Sequence, residues 1–303
     1  MEIELVADGL LFPEGPIAMN DGSVILTEVQ AGRLTRVTPD GKKEVVAETG
    51  GGPNGAAVGP DDAIYVVNNG GSITWIEQDG LTIPSSTPPG YTGGYVQRID
   101  LKSGAIRTIL DSCDGRRFAG LNDLVFDKTG GMWFTDHGAT LPEYRSHGAI
   151  YYARPDGSKV VRHRDHLISP NGVALSPDES VVYMADTLLQ RLWAFDLTAP
   201  GEMGPPVGFA PGRIVGNLER FQLLDSMAIE ADGKICVATI INGGVTIFEP
   251  NGSTEHVAFP DILTTNICFG GSDMRDAWVT CSGAGRLYKC RWPRPGLRLN
   301  FNA

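Results

Sequence analysis

PEGPIAMNDG at residues 13–22, PNGAAVGPDD at 53–62, LNDLVFDKTG at 121–130, PNGVALSPDE at 170–179, LDSMAIEADG at 224–233 and TTNICFGGSD at 264–273 are six copies of one pattern. Each has a small or polar residue, a short apolar run, and a turn rich in Gly, Asp, Asn or Pro. A second apolar run follows each turn: VILTE, IYVVN, MWFTD, VYMAD, ICVAT and AWVTC. Two such runs across a Gly/Asp/Asn turn read as a β-hairpin. The second position of the pattern holds Glu14, Asn54, Asn122, Asn171, Asp225 and Thr265, all with side-chain oxygens. These positions are 40, 68, 49, 54 and 40 residues apart. A period of about 40–50 residues, with about four short strands in each, marks a β-propeller rather than a general all-β chain with recurrent turns.

Outward from the pattern, the first three sheets each show four strands. The fourth has an insertion at residues 199–212, and the sixth runs out in PRPG at 293–296 with no outer strand. The spare alternating stretch at residues 2–7 supplies that strand. The expected fold is therefore an all-β six-bladed propeller, one domain over residues 1–303, closed by pairing of its N- and C-terminal strands. Closure removes exposed sheet edges. No window shows a capped, 3.6-residue apolar period, so helices are not expected.

The chain is acidic, with net charge −11 over 303 residues. Phosphate binding needs a basic surface, so nucleic acid is not an expected partner. No run is long and apolar enough to cross a membrane, and the first residues do not read as a signal peptide. A cytoplasmic location is the expectation. The five cysteines, with no CxxC pair, read as buried thiols, although Cys281 and Cys290 lie where one hairpin could join them.

In a propeller the first strand of each blade lines the axis, so the six oxygen-bearing positions converge. A ring of Glu, Asn, Asn and Asp oxygens suits one hard divalent cation: Ca²⁺ first, with Zn²⁺, Mn²⁺, Mg²⁺ or Fe²⁺ as alternatives. The same residues could instead serve turn geometry around a polar water channel. A bound cation would polarise a carbonyl or phosphoryl oxygen and acidify a water. Asp225, shorter than Glu14, is favoured as the base, with Glu14 kept open. Turns between second and third strands lie at the same end as this ring. They are residues 70–94, 137–147, 187–190, 241–243 and 282–285. His137 and His147 in the second of these are expected to hold or shuttle a proton. Tyr91 and Tyr144 on the rim, with Asn54 and Asn122 in the ring, are expected to contact substrate. No Ser-His-Asp order or GxSxG elbow favours a serine hydrolase.

PEGP at 13–16, LNDLVFDKTGGMWFTD at 121–136, SPNGVALSPDESVVYMAD at 169–186, LDSMAIEADGKICVA at 224–238 and TTNICFGG at 264–271 resemble the gluconolactonase/regucalcin superfamily, which is related to the diisopropylfluorophosphatases. The resemblance spans all six blades. It implies a six-bladed propeller with one catalytic divalent metal over the axial tunnel. It places the ligands on Glu14, Asn171 and Asp225, with Asn122 as a fourth ligand or a substrate contact, and the base or nucleophile on Asp225. Sugar lactonases of the superfamily carry Arg two residues before the Asn matching Asn122. Here that position is Gly120, which points to a less polar substrate. The leading expectation is a metal-dependent lactonase acting on a small lactone or ester. Alternatives are a phosphotriesterase-like hydrolase using the same oxygens, and a non-catalytic metal-binding propeller.

Overall fold

In the computed structural model, which describes residues 1–302, the six patterns form the first strands of six antiparallel sheets. These strands are Pro13–Ala18, Pro53–Val58, Leu121–Phe126, Pro170–Leu175, Leu223–Ile229 and Thr264–Gly270. Each packs against the first strand of the next sheet, and the sixth packs against the first, so the ring closes. The molecule is a six-bladed β-propeller, without helices among the described residues. First and second strands are buried on both faces by neighbouring blades, which is why they read as near-continuous apolar runs. Between blades two and three, Tyr65, Phe118, Phe126, Phe134 and Tyr151 interlock. Between blades three and four, Trp133, Tyr152, Val173, Leu175 and Trp193 do the same.

The sixth sheet contains Thr264–Gly270, Asp276–Cys281 and Arg286–Arg291, and its outer strand is Ile3–Ala7 from the other end of the chain. Ile3 pairs with Cys290, Glu4 with Lys289 and Leu5 with Tyr288. Ladder hydrogen bonds across this seam supply the closure inferred from the missing strand.

All six first strands share an irregularity. The register slips just after the oxygen-bearing position, between Glu14 and Ile17, Pro53 and Ala56, Leu121 and Leu124, Pro170 and Val173, Leu224 and Met227, and Thr264 and Asn266. Such bulges re-aim side chains and end regular pairing. Here they turn the ring residues to the axis.

Three features were not read from the sequence. Residues 70–94 contain a hairpin of their own, Trp75–Gln78 with Leu81–Pro84. The 199–212 insertion contributes a short strand, Glu202–Met203, beside Leu197 and Ala199. The tail after Arg291 crosses the end of the propeller opposite the ring residues. Trp292 and Arg294 both donate to the buried carboxylate of Glu230, and Leu297, Leu299 and Asn302 line the lower axial channel. The possible disulfide is not formed. Cys281 pairs with Arg286 and Cys290 with Ala277, at opposite ends of the hairpin, and all five thiols are free and buried.

Deleting residues 1–8 removes the seam strand and its buried Ala7. Thermal unfolding of the truncated chain should then occur at least about 5 °C below the full chain. An unchanged melting temperature would show that the seam does not hold the ring.

Candidate active site

The axial bulges set the geometry of a cavity of about 370 Å³ at one end of the propeller. Glu14, Asn54, Asn122, Asn171 and Asp225 form its polar floor. The sixth ring member, Thr265, does not line the cavity, and its hydroxyl lies against Thr280, Ser282 and the Glu14 carboxylate. Residues 72–87, 137–145, Thr187 and Ile241 supply walls, as the position of the second-to-third-strand turns implied. Residues 282–285 do not reach it.

The floor is braced from below. Glu14 Oε2 accepts from Asn266 Nδ2 at 2.9 Å and from its neighbour Gly15 N at 3.0 Å. Asn171 donates from Nδ2 to Thr187 Oγ1 at 3.0 Å, which directs its carbonyl oxygen away from Thr187. Asn122 Oδ1 is buried and has no hydrogen-bond partner among the described residues. A buried, unpaired carbonyl oxygen is costly, and a cation would satisfy it. Burial, joined by the negative charge of Glu14, pushes the Asp225 carboxyl well above the usual range. Burial likewise raises Glu14, and it raises Asp123, one position below the ring, to about 7. The floor thus gathers acidic groups without a positive partner. Its donors are all oxygens, two of them carboxylates, which fits a hard divalent ion.

The upper wall is different. Phe12, Ile83, Leu223, Ile240, Ile262 and Leu263 present apolar surface. Trp75 on the added hairpin packs on Phe12 with ring centroids 4.7 Å apart. Phe12, Leu223 and Leu263 were missed in the sequence, but they carry a readable signal. Each stands two residues before a ring position, where the chain enters a first strand. Gly120 is the fourth member of that set. A side chain there would put its Cβ 2.6 Å from the carbonyl of Gly138. The turn after Asp136 therefore fills the space that an Arg would need. Asp136 fixes that turn by accepting from Ala119 N, Gly120 N and Gly138 N.

Several rim expectations need correction. Tyr144 is 64% exposed and lies outside the cavity. Tyr91 does not line it either. Its hydroxyl lies within hydrogen-bond reach of the backbone carbonyls of Asn69 and Ala119, bridging two rim loops with its single proton. His147 is exposed and stacks on His166, 5.4 Å between centroids, outside the cavity. His137 does line the cavity.

The fold and the floor define a class, the six-bladed propellers with an oxygen-donor cluster at the axis. Within it the chain belongs to the SMP-30/gluconolactonase/LRE-like family, whose model matches residues 12–283. It is 26% identical over 304 residues to a gluconolactonase of Zymomonas mobilis, covering 88% of this chain and 76% of that one. It is 27% identical over 250 residues to lactonase drp35 of Staphylococcus haemolyticus, covering 82% and 69%. Among solved structures, a gluconolactonase of Xanthomonas campestris superposes with a TM-score of 0.75 at 22% identity, covering 96% and 89%.

The raised carboxyls give a pH-dependent signature. In metal-free protein, groups held above their ordinary values of 3.8 and 4.5 contribute stability below those values. That stability is lost as pH rises, through about 7 for Asp123. A cation that relieves the repulsion should add more to the melting temperature as pH climbs from about 4 to about 7. Melting curves with Ca²⁺ and with chelator across this range check it, and a pH-independent gain would contradict it.

Proposed function

We propose that the protein is a metal-dependent lactonase, with Glu14, Asn122, Asn171 and Asp225 holding one divalent cation and Asp225 serving as the base. The observation that carries this reading is the unpartnered Asn122 Oδ1 beside two carboxylates held protonation-prone by burial and by each other. Family membership and the lactonase names of its relatives support it. Ca²⁺ is the first choice because every donor is an oxygen. When bound, the cation would polarise the lactone carbonyl and lower the pKa of a water.

Asp225 takes a proton from the attacking water. The water oxygen bonds to the carbonyl carbon, the ring C–O bond breaks, and the departing ring oxygen receives the proton. Asn171, anchored by Thr187, keeps its carbonyl on the floor. Asn54 stands beside the reacting group as a polar contact. The apolar wall excludes water and receives the carbon frame of the substrate. With Gly120 where sugar lactonases carry Arg, and Phe12, Leu223 and Leu263 around it, the pocket suits a lactone with an apolar ring or arm.

Asp225→Asn keeps an oxygen and removes the base. It should lower the hydrolysis rate by about 10²–10⁴-fold with metal content, read by elemental analysis, largely retained. Glu14→Gln should lose metal and activity together. Full activity of metal-loaded Asp225→Asn would sink the assigned base.

A pH-indicator screen of sugar lactones, alkyl and aryl lactones and a paraoxon-type ester, with and without chelator, tests the function itself. Apolar lactones should be turned over at least about tenfold better than gluconolactone, as a difference of one or two apolar contacts gives. Chelation should abolish the rate. Preference for the phosphotriester would favour a phosphotriesterase, and no turnover of any ester would favour a binding propeller.

A further inference from the structure

His137 follows the last residue of its strand, and its backbone N donates to Gly120 O at 2.8 Å. Its ring lines the cavity. One ring nitrogen, Nδ1, lies 2.7 Å from a terminal guanidinium nitrogen of Arg145. The same Arg145 nitrogen donates to the His137 carbonyl oxygen. Arg145 is fixed by two more bonds, from Nε to Ile168 O at 3.2 Å and from its other terminal nitrogen to Thr140 Oγ1 at 2.7 Å.

A guanidinium only donates and keeps its proton. Nδ1 must therefore accept, so the imidazole is neutral and its proton sits on Nε2. That nitrogen has no hydrogen-bond partner among the described residues, and His137 is a lining residue of the cavity.

We propose that His137 is a fixed hydrogen-bond donor of the site, its Nε2–H held toward the cavity by Arg145 and offered to an ester oxygen of the bound substrate. His137 neither takes nor gives up a proton in the reaction, which departs from the proton-holding role expected from the sequence. Arg145 acts through it as a positioning residue. Burial and the charge of Arg145 push the imidazole down to about 3, so the donor persists across neutral pH. The charged groups nearest Arg145 are Asp136 and Asp186. Asp136 is engaged by three backbone N–H groups and Asp186 by Ser169 Oγ and Leu189 N. Neither forms an ion pair with Arg145, which leaves its N–H groups free to hold the histidine. A donor that meets charge as it develops on oxygen acts in the transition state more than in the ground state.

The identity of the acceptor rests on the lactonase reading, but the tautomer does not, so the two can fail separately. Long-range ¹H–¹⁵N NMR on histidine-labelled full-length protein should show His137 protonated at Nε2 and bare at Nδ1, unchanged between about pH 5 and 8. Arg145→Met should remove the fixed Nδ1 acceptor contact and raise the His137 pKa, while burial still holds it below the ordinary value. With the best lactone of the screen, His137→Leu should lower kcat by about 10²–10³-fold with little change in KM. His137→Gln, which keeps an N–H donor, should recover part of that loss and covers the case in which the Leu variant does not fold. An Nδ1–H tautomer, or titration of His137 in the unmodified protein, overturns the proposal. So does a folded His137→Leu enzyme within about threefold of the normal kcat. If no lactone is hydrolysed, the functional reading fails, and the NMR result alone decides whether Nε2–H is the donor.

Discussion

The close approach of six backbones at the axis is the constraint from which the rest follows. Immediately after the ring positions, Gly15, Gly55 and Gly172 stand where the next first strand presses in. A Cβ on Gly15 would lie 2.5 Å from Asn54 O, one on Gly55 2.6 Å from Asp123 Cα, and one on Gly172 2.7 Å from Asp225 O. At Gly15 the backbone also adopts a φ of +50°, which glycine tolerates most readily. There is no room for side chains at these three positions, and the bulge that all six strands share turns five of the preceding residues onto a common floor. Where the neighbouring strand leaves space, Asp123, Ser226 and Asn266 take the same position, and Asn266 reaches up to brace Glu14.

A second set of interactions keeps the floor from relaxing. The second strands of the first four blades end in Glu28, Asn68, Asp136 and Asp186, all buried. Glu28 accepts from Leu11 N, Asn68 from Gly52 N, Asp136 from Ala119 N and Gly120 N, and Asp186 from Ser169 Oγ. Each thus holds the segment that leads into a ring position. Thr27 and Thr135 donate across the blade boundary to the carbonyls of Asn54 and Asn171, at 2.6 and 2.5 Å. A site of acidic groups, each disfavoured by burial, stays assembled because rigid strands and buried hydrogen bonds hold it. The cost of gathering those acidic groups shows in the raised carboxyls of Asp225, Glu14 and Asp123.

The wall obeys other physics. The hairpin at Trp75–Gln78 and Leu81–Pro84 lies over the rim, buries Trp75 against Phe12, and lends Ile83 to an apolar face. The floor is polar and acidic, and the wall is apolar. On the remaining side, Arg145 pairs with no carboxylate among the described residues and lies against the imidazole of His137 instead. Burial first, and the neighbouring guanidinium second, lower the affinity of this histidine for a proton, and the guanidinium sets Nδ1 as the acceptor.

Taken by itself, the sequence determined the six blades, the closing strand and the ring of Glu14, Asn54, Asn122, Asn171 and Asp225. Each follows from local chemistry repeated in phase: apolar alternation, turn residues, and an oxygen-bearing side chain at a fixed offset. Of the positions two residues before the ring, the structure brings Phe12, Leu223, Leu263 and Gly120 to the cavity, and Phe12 does so from a left-handed turn that no alternation covers. Tertiary structure alone decided which aromatic rim residues face the cavity. Tyr91 and Tyr144 lie in irregular loops, where no period fixes a direction, and one came to tie two loops while the other met solvent. It also decided that Gly120 cannot grow a side chain, that the tail crosses the far end through Glu230, and that Arg145 meets His137. The tail contact joins segments far apart in the chain, and the Arg145–His137 meeting forms within one irregular loop, where no period fixes a direction.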